Sequence, residues 1–404
     1  MHVMIIGGGM GGLSLAQGLK KRGIGCSVYE RDASPAIRRQ GYRLNINPFG
    51  GYGLQECLPE SLYSLYLATS AIAYNAKVAK FDSMLAPIGS IDFGKPGEDL
   101  SRSHSAVNRY TLRQILLAGL EDRVHYGCRL TGFEQDGNRV KAVFADGSVK
   151  EGDVLVAADG IHSAVRSRLF PEAEPPLMQL TSIYGKIPLS PRMLKQVPEA
   201  LYNAINSVLG PERVTLILAF YQSRMPQQEA AARFAPGVTV DPVEDYLLWG
   251  LIAPTESFPD DVLTCEPSAL HSIGLGLVHG WAPKIVHLLG ESDIPSLFAL
   301  PMRSSHLIPD WPSSRVTLLG DAIHAMSPAG GSGASTAFLD AALLSQVLDA
   351  AEKGEMELIP AIRMYEEKMR EYANPIVSHS LNNANQIFFR QPEKGEESRE
   401  SSRQ

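Results

Sequence analysis

The sequence predicts an α/β fold in which a nucleotide-binding domain is interrupted by a second, sheet-rich one. Three observations carry this. Gly7-x-Gly9-x-x-Gly12 stands between a short apolar run and a helix-like stretch at the start of the chain. A second glycine-rich turn, GDAIHAMSPAGG from Gly320 to Gly331, has the same setting near the other end. Between them, beyond Pro171, the character shifts to strands rich in β-branched and aromatic residues. Both turns have the strand–turn–helix form that offers backbone N–H groups to a phosphate or a ribose.

The elements follow in order. Val3–Ile6 reads as a buried strand, Leu13–Lys21 as a helix, and Gly25–Tyr29 as a second strand closed by Glu30. Arg38–Asn47 reads as extended. Tyr110–Leu120 is helical, with Leu112, Ile115, Leu116 and Ala118 on one apolar face. Val140–Phe144 and Ser148–Lys150 flank Asp146-Gly147, a hairpin dipeptide. Val154–Ala157 is another short buried strand. Thr181–Leu189, Val214–Tyr221, Tyr246–Ala253 and Leu297–Met302 follow as strands. Pro191–Val208 and Pro267–Leu289 read as helices, the first N-capped by Ser190 with proline in its first turn. From Trp311 the α/β pattern returns: Asp321 ends a buried strand and Ala334–Leu348 is a helix. The expected division is 1–75, 100–170 and 310–390 for the Rossmann-like domain, and 76–99 and 171–309 for the mixed sheet-and-helix domain. Residues 391–404 are charged, Ser-rich and free of aromatics, the composition of a disordered tail.

Composition narrows the functions. A net charge of −7 gives no electrostatic case for nucleic acid. The four cysteines are scattered without a C-x-x-C, so neither zinc nor a redox pair is indicated, and reduced cytoplasmic thiols are expected. The first strand starts almost at Met1, which leaves no room for a signal peptide. No apolar stretch approaches the ~20 residues of a membrane helix.

The first glycine motif has a mechanical reading. Gly7 permits the tight turn, Gly9 lets backbone approach a pyrophosphate, and Gly12 lets helix and strand pack closely. Glu30 stands where a carboxylate can accept from a ribose hydroxyl pair. Arg31 beside it suggests either a 2′-phosphate contact or a solvated cation. This motif does not separate NAD from FAD. The second turn does: an acid at a strand end, Asp321, can hold a polyol, and FAD has a ribityl chain where NAD has none. A helix cap is the alternative role for Asp321.

Three ordered motifs carry a resemblance: Gly7-x-Gly9-x-x-Gly12, Asp159-Gly160 in VLVAADGIHSAVRSRL, and Gly320-Asp321 in LLGDAIHAMSP. Together they resemble the fingerprints of the group A FAD-dependent monooxygenases, the para-hydroxybenzoate hydroxylase fold. NRYTLRQILL, with Arg109 and Arg113, is similar to the tetracycline-hydroxylase-like and fungal secondary-metabolism branches. The resemblance implies that Gly7, Gly9 and Gly12 hold the pyrophosphate and Glu30 the adenosine ribose, and that Arg109 lies along the ribityl and pyrophosphate. It places Asp321 on the ribityl chain, Gly331, Gly333 and Ala334 near the flavin pyrimidine with Pro328 in the same turn, and Asp159-Gly160 at both FAD and the nicotinamide co-substrate. Gly41 and the extended segment after it would border a moving flavin ring. Arg166 either ties the Asp159 turn down or makes a surface ion pair; of Arg109 and Arg113, one is expected inward and the other at the surface. Ser335 stands where many relatives carry Asn, and Leu339 where an acid precedes Asp340; His324 fits the family pattern and reads as structural.

The implied activity is an NAD(P)H- and FAD-dependent monooxygenase. NADPH or NADH reduces the flavin, O₂ adds to give a flavin C4a-hydroperoxide, and an apolar aromatic or polycyclic small molecule is hydroxylated or epoxidised, in secondary metabolism. The cofactor does the hard step, so no catalytic dyad is expected, and no catalytic side chain is assigned. Adjacent Asp159, His162 and Ser163 cannot form a triad. Tyr184, Phe220, Trp249 and Met302, with Tyr221, are candidates for the apolar pocket wall, core packing being the alternative for each. A flavin oxidase or dehydrogenase, or a non-catalytic flavin-binding protein, are the competing classes.

Overall fold

The computed structural model describes residues 1–35, 42–72, 77–92, 103–203, 205–327 and 331–384. Gly41, Pro328 and the tail 391–404 lie outside the described residues.

A five-stranded parallel sheet forms one half. Its order is Val316–Leu318, Val154–Ala157, His2–Ile6, Gly25–Tyr29, Val124–His125. The central strand His2–Ile6 pairs with Gly25–Tyr29 on one side and with Val154–Ala157 on the other, so elements far apart in sequence share a core. That core is apolar on both faces: Val3, Met4, Ile5, Val28, Leu155 and Val156 are fully buried, as expected of a sheet covered on both sides. The helices Met10–Lys21 and Gly333–Glu352 pack against each other beside this sheet.

The second half is a seven-stranded mixed sheet. Its order is Phe298–Arg303, Leu177–Pro188, Tyr246–Pro254, Thr215–Tyr221, Ile205–Leu209, Lys77–Asp82, Pro87–Asp92. Helices Pro267–Leu277 and Pro283–Gly290 cover one face, burying Leu270, Ile285 and Leu288 against Ile183, Leu218 and Leu251. A two-stranded ribbon, Arg43–Ile46 with Ser105–Asn108, lies near the other face; its Ala106 packs with Tyr221, Tyr246 and Leu248 of the sheet. The hairpin expected at Asp146-Gly147 forms within a three-stranded sheet.

Three expectations need correction. Pro191–Val208 is not one helix: it is a single turn, Pro191–Leu194, a 3₁₀ turn Glu199–Leu201, and the strand Ile205–Leu209. Pro198 breaks the first stretch, and the last is claimed by two neighbours, Lys77–Asp82 in parallel and Thr215–Tyr221 antiparallel. Pairing on both edges overrides local propensity. Pro267–Leu289 is two helices, divided at Gly280 with φ +82 and restarted by Pro283 in the first turn. In the segment expected to be extended up to Asn47, the strand is Arg43–Ile46, and Asn47 then caps the helix Pro48–Cys57 by accepting from Gly50 N–H at 2.9 Å.

Candidate functional site

Three turns meet at the carboxyl ends of the parallel strands His2–Ile6, Val154–Ala157 and Val316–Leu318. Gly7 has φ +109, and a Cβ there would lie 2.3 Å from the Ala158 carbonyl oxygen, so the first turn is pressed against the second. A Cβ on Gly12 would fall 2.2 Å from the Gly7 carbonyl oxygen. Gly9 caps the helix Met10–Lys21, which has no acid in its first turn and no side-chain cap. Its free N–H groups therefore favour an anion. Glu30 is buried, accepting from Gly8 N–H at 2.8 Å through Oε2 and from Asp32 N–H at 2.9 Å through Oε1. Arg31 is exposed beside it.

The second and third turns are fastened to each other. Arg166 is buried and donates to the Ala322 carbonyl at 3.1 Å and the Ile161 carbonyl at 2.8 Å. It holds the turn after Asp159-Gly160 against the turn that carries Asp321, and the surface ion pair is not its role. Asp159 accepts from Ala164 N–H at 2.8 Å through one oxygen, while its Oδ1 is buried without a partner. Asp321 opens the short helix Asp321–His324. Its side chain is solvent-accessible, yet the protein packed around it raises its carboxyl pKa, with the positive groups of His324 and Arg109 opposing. Gly333 lies next to the Asp321 carboxylate, and Gly331, at φ +59, lies next to the Asn45 amide. Gly333 and Ala334 begin the long helix, again with no acid in its first turn.

Arg109 stacks over the Tyr42 ring at 5.5 Å, and its N–H donates to the Tyr42 carbonyl at 2.9 Å. Arg113 is buried, its Nε without a partner, whereas Arg109 is half-buried, so the expected surface arginine is not Arg113. Beneath the Gly320 turn lies a fully buried pair: Asp340 accepts from Gly320 N–H at 2.8 Å and from His324 Nε2 at 2.7 Å, while the Tyr372 hydroxyl donates to its other oxygen. Burial disfavours charge on His324, but the Asp340 carboxylate, with Asp321 adding to it, raises its pKa.

Beyond the ribbon lies the face of the seven-stranded sheet opposite its two helices. Tyr184 stacks with Phe298 at 5.5 Å and with Tyr42 at 6.3 Å, and Met302 packs with Ile252 on the same face. Phe220 and Trp249 point the opposite way, into the core under the helices, where Trp249 Nε1 donates to Ser292 Oγ at 2.9 Å. The strand period of two separates them from Tyr184, so these two pocket candidates do not share its face. Two residues near this face were not singled out from the sequence. Lys186, two positions after Tyr184, lies over the Tyr246 ring at 4.7 Å, and Arg43 lies in the ribbon, its Nη1 donating to Asn45 Oδ1. A lone cation in the otherwise uncharged strand Leu177–Pro188 is the signal that would have found Lys186.

A dinucleotide bearing a polyol fits these residues. Gly7 and Gly12 admit no Cβ, the helices Met10–Lys21 and Gly333–Glu352 start without a side-chain cap, and Asp159 keeps a buried oxygen unfilled. Among the described residues no group could hold a metal ion, and no helix is long and apolar enough to cross a membrane.

Comparison with known proteins agrees with this geometry. A family described as FAD binding domain matches residues 290–380, and an NAD(P)-binding Rossmann-like domain matches residues 5–54. A solved structure from Photorhabdus luminescens, assigned as an FAD-containing monooxygenase, is 33% identical, covering 96% of this chain and 98% of that one with a TM-score of 0.82. The dual O-methyltransferase/FAD-dependent monooxygenase elcB of Phaeosphaeria nodorum is 32% identical over 90% of this chain and 42% of its own length. The FAD-dependent monooxygenase thnD of Trichoderma harzianum is 28% identical over 87% of this chain and 84% of its own. The chain thus spans less than half the length of elcB.

Proposed function

This chain belongs to the FAD-dependent monooxygenases, and from that premise we propose that it uses NADPH or NADH and O₂ to hydroxylate or epoxidise a largely apolar aromatic or polycyclic small molecule, in the cytoplasm and in secondary metabolism. One observation carries the reading: the three turns are fastened together, and beside them Tyr42, under the Arg109 guanidinium, meets an aromatic sheet face at Tyr184. FAD, when bound, takes electrons from the nicotinamide and supplies activated oxygen.

The chain's own residues bind, orient and exclude water. Gly7, Gly9 and Gly12 hold the pyrophosphate, Glu30 the adenosine ribose, and Arg109 and Asp321 the stretch between them and the ring. Gly331, Gly333 and Ala334 approach the ring through their backbone. Tyr42, Tyr184 and Phe298 form a stack against which a planar substrate is oriented, and Met302 adds to the dry surface. The cofactor-holding part is assigned to 1–75, 100–170 and 310–390, and the substrate wall to 76–99 and 171–309.

NADPH oxidation, followed with and without candidate aromatics, tests the reading. The true substrate accelerates it about tenfold or more, through a gated conformational step, and labelled oxygen from O₂ enters the product. Fast oxidation without substrate, yielding only hydrogen peroxide, makes the chain an oxidase instead.

A further inference from the structure

We propose that the cavity lined by Arg113 is a binding site for a small, largely apolar monocarboxylate, separate from the cradle of the three turns. It lies between the helix Arg109–Leu117, the end of the strand Val124–His125 and the loop 237–239, and its volume is about 470 Å³, within the range of small-ligand pockets. None of Gly7, Gly9, Gly12 or Asp321 lines it. The site goes beyond the monooxygenase reading and does not depend on it.

Arg113 is only 6% exposed, and among the described residues its guanidinium makes no hydrogen bond and no ion pair. The carboxylates at the cavity are already engaged. Glu121 accepts from Gly119 N–H, and Asp241 accepts from the Tyr110 hydroxyl and Gln114 Nε2. Glu30, whose charge acts on Tyr126, accepts from Gly8 and Asp32 N–H. The Tyr126 hydroxyl, on the same cavity, is a second donor without a partner among the described residues, and the Arg113 charge acts on it. A buried cation with unfilled donors is costly to keep unless a ligand completes it. The walls are fixed by the fold. Gln114 Nε2 donates to Asp241 Oδ2 at 3.0 Å, Asp241 N–H donates to Gln114 Oε1 at 3.0 Å, and the Tyr110 hydroxyl donates to the same carboxylate at 2.6 Å. These three bonds strap the chain after the loop 237–239 onto the helix. Leu117, Ala118, Val124 and Val238 make much of the remaining wall apolar. One forked cation in such a wall fits one carboxylate on a short hydrocarbon or aromatic body. A phosphate monoester, with a charge of about −1.5 to −2, needs more donors than Arg113 and Tyr126 supply.

The test is binding of octanoate and octanol, one chain with and without the charge, by titration calorimetry of the FAD-loaded protein at neutral pH. Octanoate is expected to bind about tenfold or more tighter than octanol, the scale of a charge-assisted hydrogen bond. Arg113→Met removes that preference. Val238→Trp, which fills the cavity from the loop without touching the arginine, weakens both probes. Lys186→Met leaves the preference as it is, because that lysine stands on the seven-stranded sheet and not at this cavity. Flavin absorbance of each sample shows that the variants fold and keep FAD. Equal binding of the two probes, no binding of octanoate, a preference that survives Arg113→Met, or binding unchanged in Val238→Trp overturns the inference. So does a preference lost in Lys186→Met, which places the ligand elsewhere. Octanoate that binds only the FAD-free protein overturns it too, since the cavity then belongs to the cofactor.

Discussion

Replacing Asp340 tests the buried array beneath the second turn. Its carboxylate is the acceptor for three donors: Gly320 N–H at 2.8 Å, His324 Nε2 at 2.7 Å and the Tyr372 hydroxyl. Both members of the His324–Asp340 pair are fully buried. Breaking a buried pair by removing one partner costs about 3–5 kcal/mol, a large share of the ~5–15 kcal/mol that holds a domain folded. Asp340→Ala is therefore expected to fold poorly. Asp340→Asn is the informative change, because it keeps the shape and an acceptor for Gly320 N–H. It loses the charge, worth about 1.5–3 kcal/mol for a charged hydrogen bond.

The sign with pH follows from His324. Its folded pKa is raised above 6.5: burial opposes charge, but the Asp340 carboxylate outweighs it. A group with a raised folded pKa contributes stability that is fully present below its unfolded value and is lost as pH rises through the folded one. The wild-type advantage over Asp340→Asn is therefore largest below 6.5 and shrinks as pH rises above it. Urea denaturation of both proteins across a pH series measures this directly. FAD affinity should fall in the variant as well, since Gly320 N–H positions the turn that carries Asp321. An advantage that does not change with pH, or that grows as pH rises, would falsify the charged-pair assignment.

Further changes separate the parts of the site. Gly12→Ala, whose Cβ would sit 2.2 Å from a backbone oxygen, should abolish flavin retention on gel filtration, whereas Gly160→Ala, at φ +80 in open space, should cost only about 1 kcal/mol in melts and keep the flavin. Asp321→Ala should weaken FAD binding about ten- to hundredfold and Asp321→Asn less; unchanged affinity in the Ala variant would leave Asp321 as a helix cap only. Arg166→Met should lower FAD occupancy without touching the cofactor cradle itself, because two carbonyl acceptors on separate turns lose their common donor. Trp249→Phe should lower stability by about 1 kcal/mol through the lost bond to Ser292 and leave substrate KM alone, while Tyr184→Ala should raise KM.

What could be read from the chain was local. Each glycine turn carries its function in consecutive residues, because strand end, tight turn and helix start must be adjacent to cradle a phosphate. Their meeting was not local, and neither was the strand Ile205–Leu209, which exists because Lys77–Asp82 and Thr215–Tyr221 present open edges to it. Within its own segment it carries no signal strong enough to compete with the helical pattern around Pro191. The same limit governs the pocket. Alternation says that alternate residues share a side and that some of them line an apolar wall beside the cofactor, but Tyr184 and Trp249 sit on different strands, and only the register Gly185↔Trp249 fixes that they face apart. The buried polar residues were hardest of all. His324 looked structural because a lone histidine after a strand usually is, and its partner Asp340 lies 16 residues on, around a turn and down a helix. It became informative once folding removed water from around it: a buried charge must be matched by something. For His324 the match is Asp340, inside the chain.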